Sequence, residues 1–205
     1  MMEKPADTQY PIHDLLKRRW SPRAFSDQRV EPDRLRSLLE AARWAPSSNN
    51  AQPWSFIVAT QEDAAEYGRL LNCLVEFNIQ WAQRAPVLIA SVARLSFEDD
   101  GKPNRHALHD VGQAVANLIV QATALGLAVH QMAGFHPDKV RELYDVPKEF
   151  EPVAMMALGY PGDPESLPEK LKKRELAPRE RKPVTEFVFA GRWGKTLPLV
   201  SVDGV

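Results

Sequence analysis

Apolar residues recur at two spacings along this chain, and the spacing indicates which segments are helices and which are strands. After Pro32, apolar side chains return every three or four positions until Pro46, which predicts a helix that begins with proline at a tolerated position. A longer helix is predicted over 106–125, with Gly126 at the position of a C-terminal cap. Its apolar stripe is Leu108, Val111, Val115, Leu118, Ala122 and Leu125.

The stripe of this longer helix is wider than a single face. Ala107, Ala114 and Ile119 extend it to the side, so we expect 106–125 to be buried on more than one side. Either a central core helix or a helix that packs against a second subunit explains this pattern.

Four short apolar segments alternate with the helices and predict strands, because they are rich in β-branched or aromatic residues. Mixed helical sequence at 62–84 separates the first two segments, and 137–144 predicts a short helix before the last. This order predicts either an α+β domain or a three-layer α/β domain. The strand segments are 54–60, 87–94, 127–132 and 152–160.

The C-terminal part of the chain differs in composition. Residues 162–183 are rich in proline and charge, which predicts an extended tail. The chain has 205 residues, enough for one domain with a sizeable core. We therefore expect a single domain over 1–205, in which 162–205 is an extended C-terminal segment.

Composition and charge argue against several classes of function. The formal net charge of −1 gives the chain no general attraction to nucleic acids or membrane surfaces, and a nucleic-acid-binding role, which would rest only on the basic stretch 170–182, is therefore disfavoured. The N-terminal sequence lacks the continuous apolar core of a secretory signal. No apolar run approaches the roughly 20 residues that span a bilayer. We expect a cytoplasmic protein with no nucleic-acid partner and no membrane partner.

Common metal, nucleotide and hydrolase motifs are absent from the sequence. Cys73 is the only cysteine, which excludes an intramolecular disulfide. His106 and His109 stand three residues apart next to Asp110, but half of a metal site is more simply a polar helix start. The glycine-rich phosphate loops and the G-x-S-x-G elbow are also missing. We predict no bound metal.

Two short basic clusters near opposite ends of the chain share one spacing. In RRWSPRAF (18–25), the alternate residues Arg19, Ser21 and Arg23 point to one side if the segment is extended. Arg179 and Arg181 repeat this alternation in RERKP. Guanidinium groups beside a hydroxyl suit a phosphate, because arginine donates two parallel hydrogen bonds and remains charged. Each cluster alone is explained by a solvated surface, but the shared spacing favours a common anion.

Two loops carry further candidates for ligand contact. The stretch WAPSSNNAQPWSF (44–56) places small polar residues between a helix end and a strand start. Either a surface loop or a site for a flat polar ligand explains this composition. AGF (133–135) follows a predicted strand and contains a glycine, at which the backbone can approach a ligand closely. An ordinary turn explains AGF equally well.

Taken together, these stretches resemble the FMN-dependent nitroreductase family. The matching pieces occur in the family's order and cover most of the chain, and the first two are the most specific. They are RRWSPRAF, APSSNNAQPWSFIV, HDVGQAVANLIVQATALGL, GF at 134–135, LGYP at 158–161 and RERKPVTEFV.

The resemblance implies both an architecture and a cofactor. The architecture is an α+β fold, a three-layer α/β/α sandwich whose central, mostly antiparallel sheet is flanked by helices. It implies an interlocked homodimer with FMN at the subunit interface. The cofactor-binding residues that it implies are Arg19, Trp20, Ser21, Arg23, Pro46, Ser47, Ser48, Asn50, Asn78, Ala133, Gly134, Arg179 and Arg181.

The resemblance also implies a role for each group of residues. Arg19, Ser21 and Arg23 match the motif for the phosphate, ribityl chain and pyrimidine edge, and Arg179 and Arg181 match a basic pair that closes on the phosphate. Trp20 departs from the polar residue common there, so we expect only its backbone to take part.

The remaining matches concern the flavin ring. Pro46, Ser47, Ser48 and Asn50 match a loop that reaches the flavin of the other subunit. Ala133 and Gly134 match the backbone that faces flavin N5 and O4, and Asn78 matches an amide contact. Some members of the family carry a glutamate where this chain has Ala133.

The expected activity follows from the cofactor rather than from a catalytic side chain. The resemblance implies a ping-pong oxidoreductase, in which NADH or NADPH delivers hydride to flavin N5 and a nitroaromatic or quinone then accepts it. Arg23 is the candidate for electrostatic support of the reduced flavin. Two alternatives remain open. One is another reaction on the same fold, namely reductive dehalogenation, flavin fragmentation or heterocycle dehydrogenation, and the other is a non-catalytic flavin-binding protein.

Overall fold

The computed structural model describes residues 3–201. The helices and strands alternate along the chain, and each begins and ends as follows. The helices are α1 (Asp14–Arg18), α2 (Pro32–Arg43), α3 (Ala64–Leu71), α4 (Glu76–Ala82), α5 (Ala107–Ala124), α6 (Pro137–Leu143) and α7 (Glu169–Leu176). The strands are β1 (Trp54–Thr60), β2 (Val87–Arg94), β3 (Ala128–Met132) and β4 (Phe150–Gly159).

The four strands form one sheet in the order β1-β2-β4-β3. Each pair of neighbours is antiparallel, and β2 in the centre pairs with β1 on one side and with β4 on the other. Ala90 is therefore opposite both Ile57 and Met155. The predicted antiparallel sheet is confirmed.

The sheet separates two hydrophobic cores, as its alternating side chains require. Leu88 and Ala90 of β2 face a core that contains Trp81 of α4. Val87 and Ile89 face the opposite core, which is built with α2 and α5. Helices therefore cover both faces of the sheet, and the predicted three-layer α+β sandwich is confirmed.

Helix α5 is the longest helix and packs against α2 and the sheet. Most of its predicted stripe is buried, and so are Ala107, Ala114 and Ile119. The prediction is wrong for Leu108, which is 53% exposed because the first turn faces the core through Ala107. Gly126 has a φ of +75°, and Leu127 donates to the carbonyl of Ala122 at 2.8 Å, which completes the predicted glycine cap.

The mixed helical stretch at 62–84 is two helices rather than one. Between α3 and α4, Leu74 forms a β-bridge with Phe135, and the amide of Val75 donates to the carbonyl of Gly134 at 3.2 Å. These bonds hold the segment extended and interrupt the helix. As a result, α4 begins beside the 133–135 turn.

The C-terminal segment is not extended throughout. Helix α7 forms within the stretch that was predicted to be extended, because Leu171 and Glu175 lie one turn apart and are both buried. Short turns and an isolated bridge between Phe189 and Thr196 follow it. The last part of the predicted tail, 202–205, lies outside the described residues. No helix among residues 3–201 combines the length and apolar character needed to cross a bilayer.

Candidate functional site

Both predicted basic clusters line the same pocket, which has a volume of about 170 Å³. We call it the arginine pocket. The N-terminal segment, the loop 19–23 after α1, helix α7 and the segment that follows α7 all contribute to it. The lining residues are Lys4, Arg19, Trp20, Ser21, Arg23, Arg174, Glu175, Arg179 and Arg181.

The loop 19–23 is short and well anchored. Helix α1 ends at Arg18, and the amide of Arg19 donates to the carbonyl of Leu15 at 3.0 Å. Beyond this cap, Arg19 Nη1 donates to Ser21 Oγ at 3.2 Å. The hydroxyl therefore orients the guanidinium group within the pocket, as the alternation of Arg19 and Ser21 suggested.

Arg23 is the predicted arginine that contacts an aromatic ring of the core. Its guanidinium carbon lies 5.9 Å from the ring centroid of Trp81, a cation–π arrangement. Its Nε is buried and has no hydrogen-bond partner among residues 3–201. Burial lowers the pKa of Arg23, and the charge of Glu175 opposes this shift. A buried donor of this kind is suited to an acceptor supplied by a ligand.

Glu175 is the one acidic residue that lines the arginine pocket. Its side chain accepts hydrogen bonds from the backbone amides of Arg23, at 2.9 and 3.0 Å, and of Ala24, at 3.1 Å. It is not among the residues predicted from the sequence. The available signal was its position four residues after Leu171, on the apolar side of an otherwise basic helix.

The positive charges of the pocket repel one another. Burial lowers the pKa of Arg19, and the charges of Arg179 and Arg181 lower it further. Burial also lowers the pKa of Arg179, with Arg181 as the second cause. Because the carboxylate of Glu175 is bonded to backbone amides, it does not pair with the guanidinium groups, and their positive charges can attract a bound anion.

Arg179 also joins the two ends of the chain. Its Nη1 donates to the carbonyls of Lys4 at 2.6 Å and Lys17 at 3.0 Å. Lys4 Nζ donates in turn to the carbonyls of Glu175 and Ala177, each at 2.6 Å. We call this reciprocal pair the terminal clasp. It closes one side of the arginine pocket.

Two further residues occupy the rim of the pocket. Arg181 Nη1 donates to the carbonyl of Glu180 at 2.6 Å. The indole ring of Trp20 lies under Lys4 Nζ, which is 4.9 Å from the ring centroid. The expectation that Trp20 contributes only its backbone to a cofactor stays a prediction.

His130 supports the same loop from the sheet side and was also not identified from the sequence. Its ring lies 4.5 Å from that of Trp81, and its Nδ1 is 2.9 Å from the carbonyl oxygen of Pro22. Burial, followed by the charge of Arg23, lowers the pKa of His130 to about 4. The imidazole is therefore neutral at pH 7, and a bond to a carbonyl requires Nδ1–H to be the donor.

Asn78 and Gly134 are joined by a hydrogen bond. Asn78 Nδ2 donates to the carbonyl of Gly134 at 2.9 Å, and Oδ1 of this amide has no hydrogen-bond partner among residues 3–201. Helix α4 carries both Asn78 and Trp81, so it connects the 133–134 backbone with Arg23. Ala133 is exposed beside Gly134.

The predicted loop 46–50 lies elsewhere in the chain. The amide of Ser48 donates to Asp110 Oδ2 at 3.0 Å, and Ser47 Oγ accepts the amide of Gln52 at 3.0 Å. Asn49 and Asn50 adopt positive φ angles of 52° and 55°, which asparagine tolerates better than most residues. Pro46 is exposed before the turn.

Within one described chain, loop 46–50 does not line the arginine pocket. Asn49 and Asn50 instead line a separate cavity of about 410 Å³ beside the acidic turn 97–102. The structure thus brings the arginine clusters together but leaves this loop apart. The proposal that the loop reaches a partner's flavin stays a prediction.

His106, His109 and Asp110 form no metal centre in the part of the chain described. Residues 3–201 contain no group of three or more His, Cys, Asp or Glu that could hold a metal ion. The carboxylate of Asp110 accepts the amide of Ser48 instead.

The model of the Nitroreductase family matches residues 16–160, well over half of the chain. A crystal structure described as an oxidoreductase containing FMN is 35% identical in sequence, with a TM-score of 0.87. The match covers 93% of this chain and 96% of that one. Helix α7, Arg179 and Arg181 follow the residues that the family model matches.

Two curated relatives are similar over most of their length. One, from Streptococcus pyogenes, is provisionally named an NAD(P)H nitroreductase and is 28% identical over 72% of this chain and 88% of its own. The other is the iodotyrosine deiodinase of Thermotoga neapolitana, 28% identical over 75% of this chain and 90% of its own.

Proposed function

The chain belongs to the nitroreductase family of flavin oxidoreductases, and from this premise we propose that the arginine pocket holds the phosphate of FMN. The observation that carries the proposal is the arginine pocket itself. Five arginines and one lysine line it, and its one carboxylate is occupied by backbone amides. Such a surplus of donors and positive charge suits a dianionic phosphate.

The pocket residues fit FMN in charge and in hydrogen-bonding capacity. Arg19, Arg179 and Arg181 would hold the phosphate, with Ser21 keeping Arg19 oriented. The buried Nε of Arg23 is a donor without a partner among residues 3–201, and the flavin ring edge offers acceptors for it.

The flavin ring would lie between the arginine pocket and the contact of Asn78 with the 133–134 backbone. Asn78 Oδ1 and the 133–134 backbone offer an acceptor and polar groups one turn of α4 away from Trp81. Gly134 allows this backbone to lie against Asn78, because a Cβ there would be only 2.7 Å from Asn78 Nδ2. These groups would orient a planar ligand without taking part in covalent chemistry.

The proposed reaction is a ping-pong oxidoreduction. When bound, FMN supplies the hydride-transferring centre between NADH or NADPH and an electron-poor acceptor, a nitroaromatic or a quinone. The chain's own residues bind and orient. Arg23 places a positive charge beside the proposed ring edge, where it would favour the negative charge that accompanies reduction.

His130 is unsuited to proton transfer at neutral pH. Its pKa is lowered to about 4 by burial and by Arg23, and its Nδ1 is occupied by the Pro22 carbonyl. We therefore assign it an orienting role in the loop 22–23 rather than a role as acid or base.

The proposed assembly is a homodimer in which loop 46–50 contacts the flavin of the partner subunit. The observation that supports it is that the loop lies apart from the arginine pocket of its own chain. A cytoplasmic location belongs to the same proposal.

Reductive dehalogenation is the second candidate reaction. The deiodinase and the provisionally named nitroreductase are each 28% identical to this chain, so identity does not favour one over the other. Turnover separates the two candidates. Reduced protein would be mixed with a nitroaromatic, a quinone, an iodinated tyrosine or oxygen alone, and reoxidation rates compared.

The experiment for the proposed function begins with the purified protein. We expect a yellow protein with bound FMN, or an apoprotein that takes up FMN, and NAD(P)H oxidation that depends on a nitroaromatic or quinone. A colourless protein that cannot be reconstituted with FMN contradicts the proposal. A flavin-loaded protein that NAD(P)H does not reduce supports a flavin-binding protein instead.

A further inference from the structure

The carboxylate of Glu175 is buried in a setting that normally disfavours a charge. Its residue is only 1% exposed, whereas the other charged residues of α7 lie at the surface. A buried carboxylate is costly unless hydrogen bonds replace its lost water. Here Oε1 accepts the amides of Arg23 and Ala24, and Oε2 also accepts the amide of Arg23.

The carboxylate of Glu175 does not pair with the guanidinium groups around it. Among the described residues it forms no salt bridge within 4.0 Å, although Arg23 and Arg174 line the same pocket. Its oxygens are directed to the backbone instead. The carboxylate thus organises the main chain beneath Arg23 without occupying the donors of the arginine side chains.

Four polar groups of the 22–24 backbone are held by hydrogen bonds. His130 Nδ1 contacts the carbonyl of Pro22 at 2.9 Å, and the amide of Gly162 donates to the carbonyl of Ala24 at 2.8 Å. Glu175 holds the two amides between these carbonyls. The position of the Arg23 side chain therefore depends on the carboxylate as well as on the sheet.

Helix α7 is itself fixed by the terminal clasp. Lys4 Nζ donates to the carbonyls of Glu175 and Ala177, so the N-terminal segment holds the end of the helix that carries the carboxylate. Burial lowers the pKa of Lys4, and the charge of Glu175 opposes this shift. This arrangement connects both ends of the chain to the loop 19–24.

We propose that Glu175 is a positioning residue of the arginine pocket, which fixes the 23–24 backbone so that Arg23 faces the bound flavin. The inference rests on the proposed function, because it takes FMN as the ligand. It goes beyond the residues that the resemblance implies, because Glu175 is not one of them and lies outside residues 16–160, which the family model matches.

Positioning and simple electrostatics predict opposite results for Glu175→Gln. Removing a negative charge from a pocket for an anion should tighten FMN binding if electrostatics alone matters. If Glu175 positions the loop, the NH₂ group of the substituted glutamine faces a backbone N–H. Two donors then oppose each other, the loop shifts, and FMN binding weakens. Loss of one or two charge-assisted hydrogen bonds predicts a ~10–100-fold higher Kd for FMN.

The test measures FMN affinity of the apoprotein by fluorescence quenching, together with the midpoint potential of the bound flavin. Glu169→Gln is the matched control, because Glu169 is an exposed residue of the same helix and carries the same charge. We expect Glu175→Gln to raise the Kd and lower the potential as Arg23 moves away. Glu169→Gln should leave both unchanged.

Glu175→Asp supplies a second variant that keeps the charge. The shorter side chain cannot reach both amides, so positioning again predicts a higher Kd and a lower potential. An unchanged or tighter affinity for FMN in either variant overturns the proposal. A lower affinity without a change in potential also overturns it, because loss of general stability alone explains that result.

Hydrogen exchange of the wild-type apoprotein keeps the proposal testable if both variants fail to fold. The amides of Arg23 and Ala24 should exchange slowly, and rapid exchange would overturn the proposal. The proposed function can fail independently. If the wild type does not bind FMN, that function is wrong, whereas weak effects in the variants of a wild type that binds FMN remove only the role of Glu175.

Discussion

Asn78 Nδ2 lies 2.9 Å from the carbonyl oxygen of Gly134, and a Cβ at position 134 would lie 2.7 Å from the same nitrogen. The hydrogen bond and the glycine therefore depend on each other. Val75 contributes to the same contact, because its amide donates to this carbonyl at 3.2 Å. The start of α4 and the 133–134 backbone form one rigid unit beside the proposed ring site.

Replacing Gly134 tests its close contact with Asn78. Gly134→Ala should displace Asn78 and destabilise the fold by about 1–3 kcal/mol, since overpacking forces side chains and backbone to shift. FMN binding should weaken as well. Urea unfolding and FMN titration measure the two effects.

Gly68→Ala is the matched control, because a Cβ there meets nothing within 4 Å and Gly68 lies within α3. This substitution should stabilise the helix by up to about 1 kcal/mol. Similar unfolding curves for the two variants would contradict the proposed close contact at Gly134.

Asp110 anchors loop 46–50 through one hydrogen bond to the amide of Ser48. Asp110 is only 2% exposed, so Asp110→Ala leaves that amide without its partner and should cost about 1–3 kcal/mol. Hydrogen exchange at Ser48 should accelerate in the variant. Asp27→Ala, at an exposed position, is the control, and equal exchange at Ser48 in both variants would show that Asp110 does not hold the loop.

His130 predicts a dependence of stability on pH. Its pKa is lowered from 6.5 to about 4 in the folded state, so the unfolded chain binds more protons between these values. The contribution of His130 to the free energy of unfolding is therefore complete above pH 6.5 and is lost as the pH falls towards 4. The shift corresponds to about 3 kcal/mol in the free energy of unfolding.

The measurement compares wild type with His130→Gln by urea unfolding at several pH values between 4 and 7. The difference between their free energies of unfolding should narrow as the pH falls, because glutamine does not titrate. A constant difference across this range would mean that His130 is not buried in its neutral form.

Lys4 tests the terminal clasp. Lys4→Met removes the donor to the carbonyls of Glu175 and Ala177, so the N-terminal segment should be cleaved faster in limited proteolysis. FMN affinity should fall by roughly three- to tenfold, as expected for a bond worth about 1 kcal/mol. Lys17→Met changes the same charge nearby at an exposed side chain, and equal cleavage in both variants would exclude the clasp.

Local patterns in the sequence predicted the sheet and most of the helices well. The four strands lie close to the predicted positions, because each is a largely apolar run, and β2 in the centre of the sheet is buried along almost its whole length. The alternation of Arg19, Ser21 and Arg23, which Arg179 and Arg181 repeat, also anticipated one pocket. This prediction required only the charge and type of these residues, and no tertiary contact.

The errors arise where a contact between distant segments decides the outcome. The break between α3 and α4 depends on the bridge from Leu74 to Phe135, and local helix spacing contains no trace of it. Glu175 is surrounded in sequence by lysine and arginine, so its burial depends on amides about 150 residues away. Leu108 continues an apolar stripe in sequence but lies on the outer side of the first turn.

The proposed binding of the FMN phosphate by the arginine pocket is tested by the affinities of the apoprotein for FMN and for riboflavin. Riboflavin has the same ring and ribityl chain but lacks the phosphate. Two or more charge-assisted hydrogen bonds predict that FMN binds ~100-fold more tightly or better. In Arg19→Gln this preference should fall at least tenfold, with riboflavin affinity unchanged. Equal affinity of the wild type for FMN and riboflavin would show that the arginine pocket does not bind the phosphate.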